Sequence, residues 1–113
     1  MLTVDFELDG QRFTAINGGD QFHFDEAISL LITCADQDEI DHYWTKLSEG
    51  GSEGPCGWLK DRYGLSWQVV PAGMEEMLAD SQSPRAERAM AAMMTMGKID
   101  VAALMAAADG VTS

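Results

Sequence analysis

Residues 57–71 read Gly57-Trp58-Leu59-Lys60-Asp61-Arg62-Tyr63-Gly64-Leu65-Ser66-Trp67-Gln68-Val69-Val70-Pro71. Two apolar-rich runs, 57–60 and 65–70, flank the turn formers Asp61-Arg62-Tyr63-Gly64, which predicts two strands folding back on each other. Pro71 stops the second strand, because it has no N–H to give to a ladder. Asp61 and Arg62 are placed to pair across the turn, an exposed contact of little energetic weight.

Outward from this stretch, Gly54-Pro55 marks a turn, and Gly50-Gly51 ends a helix. That helix starts at Asp36, whose carboxylate suits an N-cap, with Glu39 three residues later. Ile40, Tyr43, Trp44 and Leu47 then recur at helical spacing. Upstream, residues 27–34 (Ala-Ile-Ser-Leu-Leu-Ile-Thr-Cys) form a mostly apolar run, which predicts a strand buried on both faces at the centre of a sheet. At the start, Leu2, Val4, Phe6 and Leu8 alternate with Thr3, Asp5 and Glu7, a strand with one wet face. Asp9-Gly10 is a hairpin turn, residues 11–16 return antiparallel, and Asn17-Gly18-Gly19-Asp20 breaks the second strand.

After Pro71 the chain turns helical. A short helix covers 74–78. Ser83 caps and Pro84 opens a helix over 84–96 that carries Met90, Met93, Met94 and Met96. These methionines suit core or dimer packing, or less simply an adaptable peptide groove. Gly97 interrupts, and Asp100 caps a last helix over 101–108. The fold class is α+β, with a sheet domain over residues 1–72 and a helical C-terminal extension over 73–113.

Charge excludes some functions. Nineteen acidic residues against seven basic ones give a formal charge of −12 over 113 residues. Such a chain is repelled by phosphate backbones and anionic lipid, so neither nucleic acid nor a membrane surface is an expected partner. There is no apolar run of spanning length and no basic leader at the N-terminus. Cys34 and Cys56 lack the CxxC spacing, which fits reduced thiols in a cytoplasmic protein.

Residues 54–71, together with Asn17-Gly18-Gly19, Glu26-Ala27-Ile28-Ser29 and Tyr43-Trp44, resemble the PhnB-like family of the vicinal oxygen chelate (glyoxalase/bleomycin-resistance) superfamily. Many of its members carry the label 3-demethylubiquinone 3-methyltransferase. Lys98-Ile99-Asp100-Val101-Ala102-Ala103-Leu104 is similar to the family's C-terminal helices, so the resemblance covers essentially the whole chain. It implies a glyoxalase-like, curved, mostly antiparallel sheet with one packed helix, built from βαβββ modules. Family members place a strand, a helix and a strand ahead of the stretch matched here. This chain opens at what would be the third strand of the first module. The expected result is an open sheet edge and an uncovered apolar face, closed either by a second copy in a homodimer or by a missing piece of polypeptide.

In ligand-bearing members of the superfamily, His, Gln or Glu side chains hold a metal that acts as a Lewis acid. Their closing motif resembles D-P-x-G-N-x-x-E, and its glutamate is a ligand. The matching run here is Asp61 to Gln68, which puts Gln68 where the carboxylate stands. The first-strand position, often histidine, falls near Ser29, and a second-strand position falls near Ala15. An amide oxygen can meet a divalent ion but brings no charge, so the resemblance implies no His/Glu metal triad and at most a weak contact through Gln68. The methyltransferase label has no counterpart in these residues. Neither Asn17-Gly18-Gly19 nor Gly50-Gly51-Ser52-Glu53-Gly54 has the spacing of a nucleotide-binding loop with a helix behind it.

The candidate ligand-binding residues are Trp58 and Trp67, as an aromatic wall, with Gln68, Asn17 and, at the rim, Asp61. The opposing reading of both tryptophans is core packing across adjacent strands. No catalytic residue stands out. His23, between Phe22 and Phe24, is either an acid–base group in a cleft or an exposed loop residue, and His42 lies on a charged helix face. Two functions follow. One is a protein that binds a small aromatic or quinone-like molecule in its sheet cup. The other is a non-catalytic homodimerisation module.

Overall fold

The computed structural model of the chain describes residues 3–16, 19, 23–79 and 82–110. Strands β1 (Thr3–Leu8) and β2 (Gln11–Ile16) form a two-stranded antiparallel sheet. Asp9 (φ 50°) and Gly10 (φ 82°) both take the positive φ that a tight two-residue hairpin turn needs. Phe6 pairs with Phe13, their rings stacked at 5.4 Å, while on the other face the Thr14 hydroxyl donates to Asp5 at 2.7 Å.

The second sheet is built by β3 (Ser29–Cys34), α1 (Gln37–Ser48), β4 (Ser52–Glu53), β5 (Trp58–Lys60) and β6 (Ser66–Pro71). Its strand order is β3-β6-β5-β4, with β3 parallel to β6 and the remaining pairs antiparallel. This is a β-α-β-β-β unit in which α1 crosses one face. The Asp36 carboxylate accepts from the Glu39 amide at 2.9 Å and starts α1. Ile40 and Trp44 of α1 then pack on Cys34, Leu59 and Val69. The Trp44 indole donates to Glu53 on β4 at 2.5 Å, so the polar end of a buried ring is satisfied.

One expectation is corrected here. The apolar run 27–34 predicted a central strand buried on both faces, but β3 begins at Ser29 and lies at an edge of its sheet. Ile32 and Cys34 face α1, whereas Leu31 is 47% and Ile28 69% exposed. Apolar content reported one covered face, while Leu31 on the other stays exposed.

Three helices follow: α2 (Met74–Leu78), α3 (Pro84–Met93) and α4 (Val101–Ala108). The helix expected over 84–96 stops at Met93. Ala89 and Met93 of α3 pack with Ile99, Leu104 and Ala108 in a second core, while Met90 and Met94 stay exposed. The Arg88 guanidinium donates to the carbonyl of Ala108 at 2.7 Å, placing a cation at the C-terminal end of α4. This core is stitched to the sheet by backbone bonds from Cys56 to Met96 (2.7 Å) and from Gly57 to Gly97 (2.8 Å). The Gln37 amide adds a two-way bond, donating to the Ile99 carbonyl at 3.0 Å and accepting from the Val101 N–H at 2.7 Å. Among the described residues no helix is long and apolar enough to cross a membrane.

Gly57 (φ 83°) and Gly64 (φ 88°) share a left-handed backbone but not an environment. A Cβ on Gly57 would lie 3.0 Å from the Val69 carbonyl and 3.1 Å from Ile99, whereas one on Gly64 would meet nothing within 4 Å. Gly64→Ala should therefore lose about 1 kcal/mol, the left-handed penalty alone. Gly57→Ala should lose about 2–3 kcal/mol, because it also separates the helical core from the sheet. Urea unfolding of the two variants checks this; equal losses would contradict it.

Candidate functional site

The pairing registers sort the second sheet into two faces. On the face away from α1, Ser29, Ser66, Lys60 and Ser52 form one cross-strand row, and Leu31, Gln68 and Trp58 form the next. A cavity of about 520 Å³ opens beside β4, β5 and β6, lined by Trp58, Lys60, Ser66, Ser52 and the loop 54–56. Its size suits a drug-sized molecule. Lys60 pairs with Glu26, which also lines the cavity. That bond and the ammonium charge hold the Glu26 carboxyl below the usual carboxylate range.

Gln68 and Ser29 meet on this face, the amide donating to the hydroxyl at 2.8 Å. The resemblance placed these two residues at positions that bear Glu and His in metal-binding relatives. Here they are neutral and bonded to each other, a donor set that does not fit a divalent ion. Among the described residues, no three His, Cys, Asp or Glu side chains come together to hold a metal.

Ser66 is 1% exposed, and its hydroxyl finds no hydrogen-bond partner among the described residues. A buried hydroxyl left in this state costs roughly 1–3 kcal/mol, so it stands out on a face whose neighbouring amide is paired. Sequence reading missed Ser66, Ser52, Lys60 and Glu26 as lining residues. The signal was present for one of them: Ser66 and Gln68 are polar residues two apart in an otherwise apolar strand, and therefore share a face.

The expected wall of Trp58 and Trp67 does not form. Trp58 pairs with Gln68 and Trp67 with Leu59, so the two rings leave opposite faces of the sheet. Trp67 packs against the α1 core, and it lines a second cavity of about 870 Å³ with Leu8, Phe13, Leu31 and Tyr43. Asp61, expected at the rim, is occupied by the chain's own donors. One oxygen accepts from the Tyr63 (2.9 Å) and Leu65 (3.1 Å) amides, the other from the Trp67 indole (3.0 Å). Its partners are these groups rather than Arg62. Asn17 lies outside the described residues. His23 and His42 are exposed and line neither cavity.

The two thiols differ. Cys34 is fully buried, and desolvation, reinforced by the Glu39 and Asp36 charges, pushes its pKa up to about 11. Cys56 is half-buried in the cavity wall with positive φ (58°), its sulfur 3.6 Å from that of Met94.

S-adenosylmethionine does not fit the strand-to-helix turn of the parallel pair. That turn is Ala35-Asp36, without glycine, and the Asp36 carboxylate caps the start of α1 by accepting from the Glu39 amide.

Residues 1–70 match the family model described as 3-demethylubiquinone-9 3-methyltransferase. Among solved structures, the chain is similar to a PhnB protein from Bacillus cereus that carries the same methyltransferase label. The two are 35% identical, with a TM-score of 0.56 over 63% of this chain and 64% of that one. The chain thus spans just under two thirds of that protein. No curated protein matches it.

Two measurements follow from this geometry. Asp61→Ala should lower stability by about 2 kcal/mol, and Asp61→Asn by about half as much, since the amide keeps one acceptor but cannot take the indole proton. Urea unfolding followed by tryptophan fluorescence reads this, and an unchanged Asp61→Ala would contradict it. In iodoacetamide labelling of the native protein at pH 8, Cys56 should react alone. Cys34 is then only about one part in a thousand thiolate and has no solvent access, so its labelling should wait for unfolding or for pH near 11.

Proposed function

The chain belongs to the PhnB-like, 3-demethylubiquinone-9 3-methyltransferase family, and we propose that it binds a small aromatic or quinone-like molecule on the sheet face away from α1. The observation that carries this reading is the cavity over β4, β5 and β6, which combines the Trp58 ring with the polar row of Ser52, Lys60 and Ser66. An apolar wall with a few convergent polar groups is the usual chemistry of a small-ligand site. The proposal stops at binding: among the described residues this face supplies neither a metal-ligand set nor a histidine, and no reaction step is assigned to it.

The same proposal includes a homodimer. Leu31 and Ile28 are exposed beside the open edge of β3, and Val4, Phe6 and Leu8 are each more than 40% exposed on one face of the hairpin. An apolar edge strand with free backbone groups is a template for pairing, and a second copy would cover it. The same exposures favour the alternative, a dimerisation module with no ligand.

The probe 2-naphthol separates the readings. It should bind saturably, Trp58→Ala should weaken it about tenfold, and Trp67→Phe should leave it unchanged, as measured by calorimetric titration. Sedimentation should show a dimer that Leu31→Lys converts to monomer. A dimer that ignores 2-naphthol selects the dimerisation module. A monomer that binds it removes the dimer and keeps the site.

A further inference from the structure

We infer that the Ser66 hydroxyl is the specificity-determining group of this cavity, and that its ligand is an uncharged aromatic molecule bearing a hydroxyl or carbonyl oxygen. The inference rests on the binding site proposed above and names what that site selects. Ser66 lies in the cavity lining, is 1% exposed, and is the buried side-chain polar group found without a partner among the described residues. Its row neighbours do not complete it. The Ser29 hydroxyl is engaged by Gln68, and the Lys60 ammonium by Glu26. The lining also holds the Trp58 ring, loop 54–56, the exposed Ser52 hydroxyl and Glu53, whose carboxylate accepts from the Trp44 indole; Ser66 differs from these in being both buried and unpaired.

A hydroxyl both donates and accepts, so Ser66 can pair with a ligand carbonyl or with a ligand hydroxyl. A molecule that supplies this oxygen satisfies a group which the folded chain leaves unpaired. A molecule of the same shape without the oxygen leaves it desolvated and unpaired, and this difference produces selectivity. Charge sets the other limit. Lys60 is already neutralised by Glu26, and Glu53 also lines the cavity, so an anion finds no free cation there.

The test compares 2-naphthol with naphthalene, its oxygen-free counterpart, by following the Trp58 indole resonance during titration of the full chain. Wild type should bind 2-naphthol at least tenfold more tightly. Ser66→Ala should lose that preference while binding naphthalene as before, and it should unfold at the same or higher denaturant concentration, because it deletes an unpaired buried hydroxyl. Ser66→Cys, similar in volume but a weak donor, should lose the preference too. If Ser66→Ala keeps the preference, or is markedly destabilised because the hydroxyl has a partner within the protein, the inference falls while the cavity remains a binding site. If neither probe binds wild type, the binding site itself is wrong and the inference falls with it.

Discussion

The backbone pairing of β6 is the constraint on which the rest of the molecule depends. It is the strand with β3 on one side and β5 on the other, and its alternation divides the structure. Trp67, Val69 and Pro71 face α1, while Ser66, Gln68 and Val70 face away. A slip of one residue would exchange these sets, putting a hydroxyl and an amide into the α1 core and a tryptophan on the open face. The register is held at both ends. At the start, Asp61 ties the turn and the Trp67 indole together. At the end, the Ala72 amide donates to the Cys34 carbonyl at 2.7 Å, extending the β3–β6 alignment beyond Pro71.

The helical extension depends on that sheet through a small number of polar contacts. Cys56 and Gly57 bond to the 96–97 segment, and Gln37 substitutes for a missing backbone partner by meeting both Ile99 and Val101. Each such bond contributes about 1 kcal/mol net, so their value lies more in positioning than in energy. They fix the loop 54–56, which forms one wall of the cavity. The close approach at Gly57 serves the same end, since a side chain there would push Ile99 off the sheet. The second core therefore shapes the candidate site without supplying a residue to its lining.

Much of the fold was legible because local chemistry and the final structure agree. Asp9-Gly10, the Asp36 cap, the Ser83-Pro84 start and the Asp100 cap each act where their side chains predict. The faces of the two tryptophans were not legible, because they turn on one residue of loop length. A four-residue turn over 61–64 would set Trp58 opposite Trp67. Instead the Asp61 amide donates to the Leu65 carbonyl and the Gly64 amide to the Asp61 carbonyl, both at 2.9 Å, with Gly64 at positive φ. This is a three-residue loop of the type I plus bulge kind, and it pairs Lys60 with Ser66. The edge position of β3 was hidden for another reason. An apolar run reports that burial is available, not whether the covering surface lies in the same chain.

The contrast between Asp61 and Ser66 shows how these residues divide between stability and recognition. Both sit at the β5–β6 end of the sheet, and both were open to a binding role on residue type alone. Asp61 is a strong acceptor with its oxygens taken by two amides and an indole, so a ligand would have to displace bonds that hold the turn. Ser66 is a weaker group, but it is desolvated and unpaired, so a ligand oxygen there gains a bond and displaces none. The charge balance points the same way. With Lys60 matched by Glu26 and a chain carrying −12, an anionic ligand would be repelled at long range and find no free cation at close range. In the proposed site, recognition therefore rests on aromatic surface from Trp58 and a directed hydrogen bond from the buried Ser66 hydroxyl, a combination that favours a flat, neutral, oxygen-bearing molecule over its hydrocarbon counterpart.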